Sequence, residues 1–495
     1  MVVPIIVVSF LMLLMLVIVL LVRTLKYTRH HGSKNHQLSS RVDIDKAVKR
    51  LSGAIRFETI STQSYDEFDA GAFISMHRFL QSEFPLVHEK LDKEVVNDYS
   101  LIFTWKGSRP ELKPVMLTCH LDVVPVEPGT EKDWTHPPFE GKISDGYIWG
   151  RGTMDVQGGL LAIMEAVEML LANEFTPERT IILGFGHDEE VDGDRGAFGI
   201  AQALKDRGVE LEFLLDEGTP IVHDVMPELP NPVALVAVAE KGYLSLELIS
   251  NSEGGHSSVP QGITAIAVLS EAIYRLENNP MNGKVTGLVK KTMESIGPQM
   301  PFLYRVIMAN LWLFRPLVQR ELARRPATKA ALSTTIATTI FESGVKENVL
   351  PTQARAIVNF RIHPNDTIER VITHVKETIR DCGVEIRVLF GSIDPSHISD
   401  MEHTAYKSLR NTIKQVFPEV VVAPTLMVGA TDARHYSALT DNIYRFIPLR
   451  AEESDLDRVH GTNERLSKEN YHEMILFYRK LIQNTTQSGK SYENH

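Results

Sequence analysis

Apolar runs of strand length that alternate with stretches of helical periodicity predict an α/β protein on a mostly parallel sheet, with a smaller α/β domain inserted as a lid. Three observations carry this expectation. Residues 115–215 repeat the strand and helix textures in turn, period-two strands replace them past Gly242, and the first texture returns after about residue 395. A chain of 495 residues is long enough to give both domains their own cores.

Met1 to Val22 carries no charged side chain and is almost wholly Val, Ile, Leu, Met and Phe, so residues 1–25 read as a hydrophobic signal peptide or signal anchor. The segment lacks the basic start and small-residue end of a cleaved peptide, and Arg23, Lys26 and Arg29 would hold the rest in the cytosol by the positive-inside rule. The sequons at Asn365 and Asn484 instead suit a glycosylated, lumenal fate. The expectation is a secreted protein, with a form anchored in the secretory pathway as the alternative. Residues 26–42 are polar and read as a linker.

The folded body begins near Asp43. Its first part, 43–240, contains strands over Val115 to His120, Thr180 to Phe185 and Leu211 to Leu215, with helices over Gly159 to Leu171 and Ala197 to Arg207. The inserted part, 241–390, has strands over Leu244 to Ser250 and Ala354 to Ile362 and helices over Ala265 to Leu276 and Thr367 to Ile379. Residues 391–483 return to the first domain through a helix over His403 to Val416, a strand over Tyr444 to Pro448 and a helix over Lys468 to Ile482. Residues 484–495 form a polar tail. Cys119 and Cys382 are too few for a disulfide framework. A net charge of -11 without a long basic block excludes a nucleic-acid partner and leaves a small or amphiphilic substrate.

Ligands of open α/β sheets bind at the carboxyl ends of the strands. Those ends read His120-Leu121-Asp122, His187-Asp188-Glu189-Glu190 and Leu215-Asp216-Glu217, and Asp155 sits on the glycine-rich turn Gly150 to Asp155 before a helix. Singly, each has an ordinary structural reading as a core histidine, a cap or a solvated acid. Together they would leave several buried carboxylates unpaired, at several kcal/mol each, unless cations join them. Histidine nitrogens with carboxylate oxygens are the donors zinc prefers in hydrolytic sites.

These segments, with His460-Gly461-Thr462-Asn463-Glu464, resemble the co-catalytic zinc peptidases that include bacterial glutamate carboxypeptidase, aminoacylase-1 and yeast carboxypeptidase S. The resemblance spans about residues 45–482. It implies two zinc ions per subunit, one held by His120 and Asp216, the other by Glu190 and His460, with Asp155 between them. Asp122 would orient the His120 ring, and Glu189 would be the general base. His256, in Gly254-Gly255-His256-Ser257-Ser258, resembles a lid histidine that stabilises the oxyanion.

Asn348 and Arg361 match positions that hold a substrate's free carboxylate, and Arg434, in Gly429-Ala430-Thr431-Asp432-Ala433-Arg434-His435-Tyr436, would assist. That loop has Ala433 where the family usually has serine. Met300 to Leu317 reads as a helix apolar on more than one face, either core or a wall for a long acyl chain. The resemblance is strongest to a branch that hydrolyses N-fatty-acyl amino acids and, in reverse, condenses fatty acid with amino acid. It also allows a lipid or lipoprotein surface and a homodimer as partners. A peptidase acting on short peptides and a silent zinc- or lipid-binding relative are the alternatives.

Overall fold

Strands Ile181–Gly186, Val115–His120 and Phe213–Asp216 lie side by side and parallel within a ten-stranded sheet of the computed structural model. It describes residues 2–27, 42–64, 68–223, 229–260, 262–281, 283, 285, 287–380 and 382–486. All residues of the three strands are buried. Helices cover both faces, which is why the strands read as continuous apolar runs instead of alternating ones. Leu117, Leu183 and Leu215 pack with helices Gln157–Ala172 and Lys468–Thr486, while Met116, Ile182 and Leu214 pack with helix Ala197–Asp206. Truncating a fully buried member such as Leu183 to alanine costs about 2–5 kcal/mol.

The sheet continues outward through antiparallel Ser100–Trp105 and Asp92–Val96 on one side. On the other side come Ile443–Arg445 and then Val233–Glu240, which also pairs with Val421–Met427. At Lys241 the chain leaves this sheet directly into Gly242–Asn251 of a second one. That second sheet is antiparallel, in the order Thr335–Ser343, Gln353–Ile362, Gly242–Asn251, Val384–Val388, with helices Ala265–Asn278 and Ile368–Thr378 on one face. The return crossing is tight, because a Cβ on Gly242 would lie 2.5 Å from the carbonyl oxygen of Ile393.

Several elements differ from expectation. Met300 to Leu317 forms two helices, Phe302–Ala309 and Leu311–Leu322, divided at Asn310, whose backbone (φ -124°, ψ 40°) leaves the helical region. Neither helix lines the cavity described below, so this segment is not an acyl-chain wall. The last helix runs through Thr486 into the predicted tail, and the Asn484 amide nitrogen donates to Thr412 Oγ1 and Gln415 Oε1, an engagement an attached sugar would break. Linker residues 28–41 and tail residues 487–495 lie outside the described residues.

Candidate metal centre and active-site cavity

His120 ends its strand with Nδ1 held 2.9 Å from the backbone oxygen of Asp122 and 3.4 Å from Asp122 Oδ1. Its Nε2 therefore points away, 3.3 Å from Asp155 Oδ1 and 3.6 Å from Glu217 Oε1. Asp122 is fully buried and accepts the Ser61 hydroxyl at 2.5 Å and the amides of Glu189 and Glu190 at 3.2 and 3.1 Å. Burial raises this carboxyl, but the His120 contact and these donors outweigh it and hold it below the usual carboxylate range. One carboxylate thus orients the imidazole and the start of the Glu189–Val191 turn.

The loop before helix Gln157–Ala172 carries Asp155. Gly152 has φ +85°, and a Cβ there would sit 2.7 Å from Val123 Cγ1, so the turn requires glycine. Glu464, fully buried, accepts the amides of Met154 and Asp155 at 2.8 and 3.2 Å and pairs with Arg151 at 2.7 Å. Arg151 also donates to the carbonyl oxygen of His460 at 3.1 Å. Two loops far apart in sequence are fastened together in this way.

His460 Nε2 lies 3.1 Å from Asp155 Oδ2 and 3.2 Å from Glu190 Oε2, and these two hydrogen bonds push the imidazole up to about 10. Asp155, despite burial, is held well below the usual range by His120 and His460. Burial and neighbouring acids push Glu189 well up and Glu190 up. Glu190 Oε1 is buried without a hydrogen-bond partner.

The two oxygens of Asp155 face two separate groups, His120 with Glu217 and His460 with Glu190. His120, Asp155 and Glu190 present ligand atoms within 4.8 Å of one another, and so do His120, Glu189 and Glu217. Imidazole and carboxylate donors around a shared carboxylate, with an orphaned Glu190 oxygen among them, fit divalent cations.

Asp216 is not in this cluster. Its Oδ1 accepts the amide of Glu217 at 2.9 Å, and burial together with Glu240 pushes its carboxyl up to about 7. Its surroundings are Thr431 and the buried Arg445–Glu240 ion pair at 2.7 Å. Asp216 closes the strand opposite Arg445, and Glu217, one residue beyond, is the acid that turns toward His120.

A cavity of about 1240 Å³ opens over the cluster. Arg361 lines it with its guanidinium 4.9 Å above the Tyr243 ring, and Lys241 lies nearby, its ammonium pulled down to about 8 by burial and by Arg361. Arg434 also lines the cavity but spends one nitrogen on the Asp192 carbonyl at 2.6 Å. Ile447, Leu449, Leu456 and Val459 add apolar wall. Sequence reasoning missed Lys241, a lone lysine between two strands.

The structure does not bring His256 or Asn348 here. Both are exposed on a ribbon pairing Gly255–His256 with Val349–Leu350, His256 Nδ1 lies 2.8 Å from Ser258 Oγ, and neither residue lines the cavity.

A parallel-centred α/β sheet with a carboxylate–histidine cluster at its strand ends, beneath a cavity with cations on one wall, defines a metal-dependent hydrolase. The chain belongs to peptidase family M20/M25/M40, whose model matches residues 116–484. It is 44% identical over 447 residues to a probable carboxypeptidase S-like 2 of Dictyostelium discoideum, covering 90% of this chain and 85% of that one. It is 42% identical over 450 residues to the N-fatty-acyl-amino acid synthase/hydrolase of Mus musculus, covering 90% and 88%. Its fold matches an M20 family metallo-carboxypeptidase from Sulfolobus solfataricus with a TM-score of 0.65 at 20% identity, over 88% of this chain and 98% of that one.

Proposed function

We propose that this hydrolase cleaves the amide bond of N-fatty-acyl amino acids and, in reverse, joins fatty acid to amino acid, with two zinc ions bound. His120 and Glu217 would hold one ion and His460 and Glu190 the other, with Asp155 facing both groups. Glu217 replaces Asp216 in the ligand set read from sequence. When bound, the ions polarise the amide carbonyl and acidify water.

Glu189 is the general base. Its carboxylate stands beside His120 and Glu217 in the cluster, placed to take a proton from water there and return it to the leaving nitrogen. Arg361 and Lys241 receive the free carboxylate of the amino acid, and the apolar wall from Ile447 to Val459 takes acyl chain. A site complementary to the tetrahedral transition state accelerates both directions equally, which supports reversibility.

The observation that carries the reading is the pairing of two cationic side chains with apolar lining in one cavity above the cluster. His256 and Asn348 join the reaction only if their ribbon moves or a second copy of the chain presents its own. A carboxypeptidase acting on short peptides is the second reading, favoured by the likeness to the Dictyostelium protein. Turnover of an N-oleoyl amino acid against a blocked dipeptide separates them, and preference for the dipeptide overturns the first. Dialysis against a chelator should abolish either activity, and zinc should restore it.

A further inference from the structure

Among the described residues one helix, Ile5–Lys26, is long and apolar enough to cross a bilayer. Its last turns are built into the body. Leu16 and Leu20 are half-buried and Thr24 is 2% exposed, a single face at four-residue spacing that meets helix Phe302–Ala309. The amide nitrogen of Asn310, itself fully buried, points to the Leu20 carbonyl at 3.3 Å and to Thr24 Oγ1 at 3.4 Å, and Arg23 Nε donates to the Ala309 carbonyl at 3.3 Å. The Tyr27 hydroxyl reaches the carbonyls of Met293 and Glu294 at 3.1 and 3.0 Å. Gly297 makes room for that ring, since a Cβ there would lie 2.6 Å from the hydroxyl. Removing residues up to Tyr27 would strip partners from the buried Asn310 and unpack this seam.

The same pair of helices presents a second, unpartnered apolar face. Leu311, Val318 and Leu322 of the second helix turn to the core, yet Trp312, Leu313 and Leu317 on the same helix are exposed, as are Phe302 and Leu303 on the first. Arg315 and Arg320 flank this face and line a shallow depression with Gln319. Tryptophan and leucine beside exposed arginines is the composition of a surface that rests among lipid headgroups. Continuity supplies the occupant, because these helices are the ones to which the apolar segment is fastened, and every residue from 5 to 15 of that segment is exposed.

We propose that residues 2–27 remain on the mature protein with the apolar helix in a lipid bilayer, and that the face formed by Phe302, Leu303, Trp312, Leu313 and Leu317 rests in the interfacial layer of the same bilayer. Arg315 and Arg320 meet lipid phosphates there. This holds whichever amide the cavity accepts.

The four tryptophans allow a direct test, since Trp105, Trp134 and Trp149 are buried and Trp312 is about half exposed. The full-length chain is expressed in eukaryotic cells, extracted in detergent, checked by intact mass and reconstituted into phosphatidylcholine–phosphatidylserine vesicles with plain or brominated acyl chains. The expected mass includes residues 2–27. Brominated vesicles should remove roughly a quarter of the tryptophan emission, the share of one tryptophan in four, and Trp312→Phe should lose that drop while keeping its activity. A mature chain beginning after Tyr27 overturns the proposal. So does equal emission in both vesicles, including the case in which a second copy covers the face, or quenching that persists in Trp312→Phe.

Discussion

Arg151 and Glu464, 313 residues apart in sequence, form an ion pair at 2.7 Å with both side chains almost wholly out of solvent. Glu464 also accepts the amide of Asp155, and Arg151 donates to the carbonyl of His460, so this pair sets the distance between two of the acid–imidazole contacts in the cluster. Glu464→Ala leaves a buried guanidinium unpaired, at a cost of about 3–5 kcal/mol. Urea unfolding of metal-free protein should read that loss, and bound zinc should fall in parallel. Full metal content in a destabilised variant would show that the pair stabilises the fold without shaping the cluster.

Glu189→Gln keeps the size of the side chain and removes the carboxylate proposed as the base. The rate constant for turnover should fall by about 10²- to 10⁴-fold, with zinc content and melting temperature unchanged, because the amide of residue 189 still donates to Asp122. Single-turnover rates together with elemental analysis check this. A variant that turns over at the wild-type rate removes Glu189 from the mechanism.

Much of this site was legible because strand ends are. His120 ends one buried strand, and Glu189 and Glu190 follow another, whose apolar runs mark them plainly, and the glycines before Asp155 announce a turn. The choice between Asp216 and Glu217 was not legible, since adjacent acids at a strand end look alike until the partner strand puts Arg445 opposite Asp216. Lys241 carries no motif, and its place on the cavity wall comes from a crossing between sheets that only the tertiary fold creates. His256 and Asn348 sit in motifs, yet motif membership does not say how far a two-residue ribbon stands from a cavity. Asn310 broke a stretch that hydropathy alone reads as one helix.

The two acids can be told apart directly. Glu217→Ala removes the side chain 3.6 Å from His120 Nε2 and should lower bound zinc from the proposed two ions per chain toward one, with activity lost. Asp216→Asn should leave both ions in place. Its effect should appear in stability, because its neighbours are the Glu240–Arg445 pair and Thr431. Zinc counts that fall in Asp216→Asn and hold in Glu217→Ala would restore the assignment read from sequence.

Lys241 should make substrate affinity depend on pH. Burial, aided by Arg361, draws its ammonium down from 10.5 to about 8. Between those values the unfolded chain binds more protons at this residue than the folded one, so its contribution to stability rises with pH from about 8 to 10.5 and is at its least favourable below 8. Binding runs the other way, because a substrate carboxylate is attracted only by the protonated form. KM for an N-acyl amino acid should therefore climb as pH passes through about 8, with kcat following a separate profile. Lys241→Arg should flatten the climb, since guanidinium stays charged throughout. Lys241→Met should raise KM about tenfold or more at pH 7, the loss expected for one charge-assisted hydrogen bond. A wild-type KM that stays level from pH 6.5 to about 9.5 would mean that Arg361 alone receives the carboxylate.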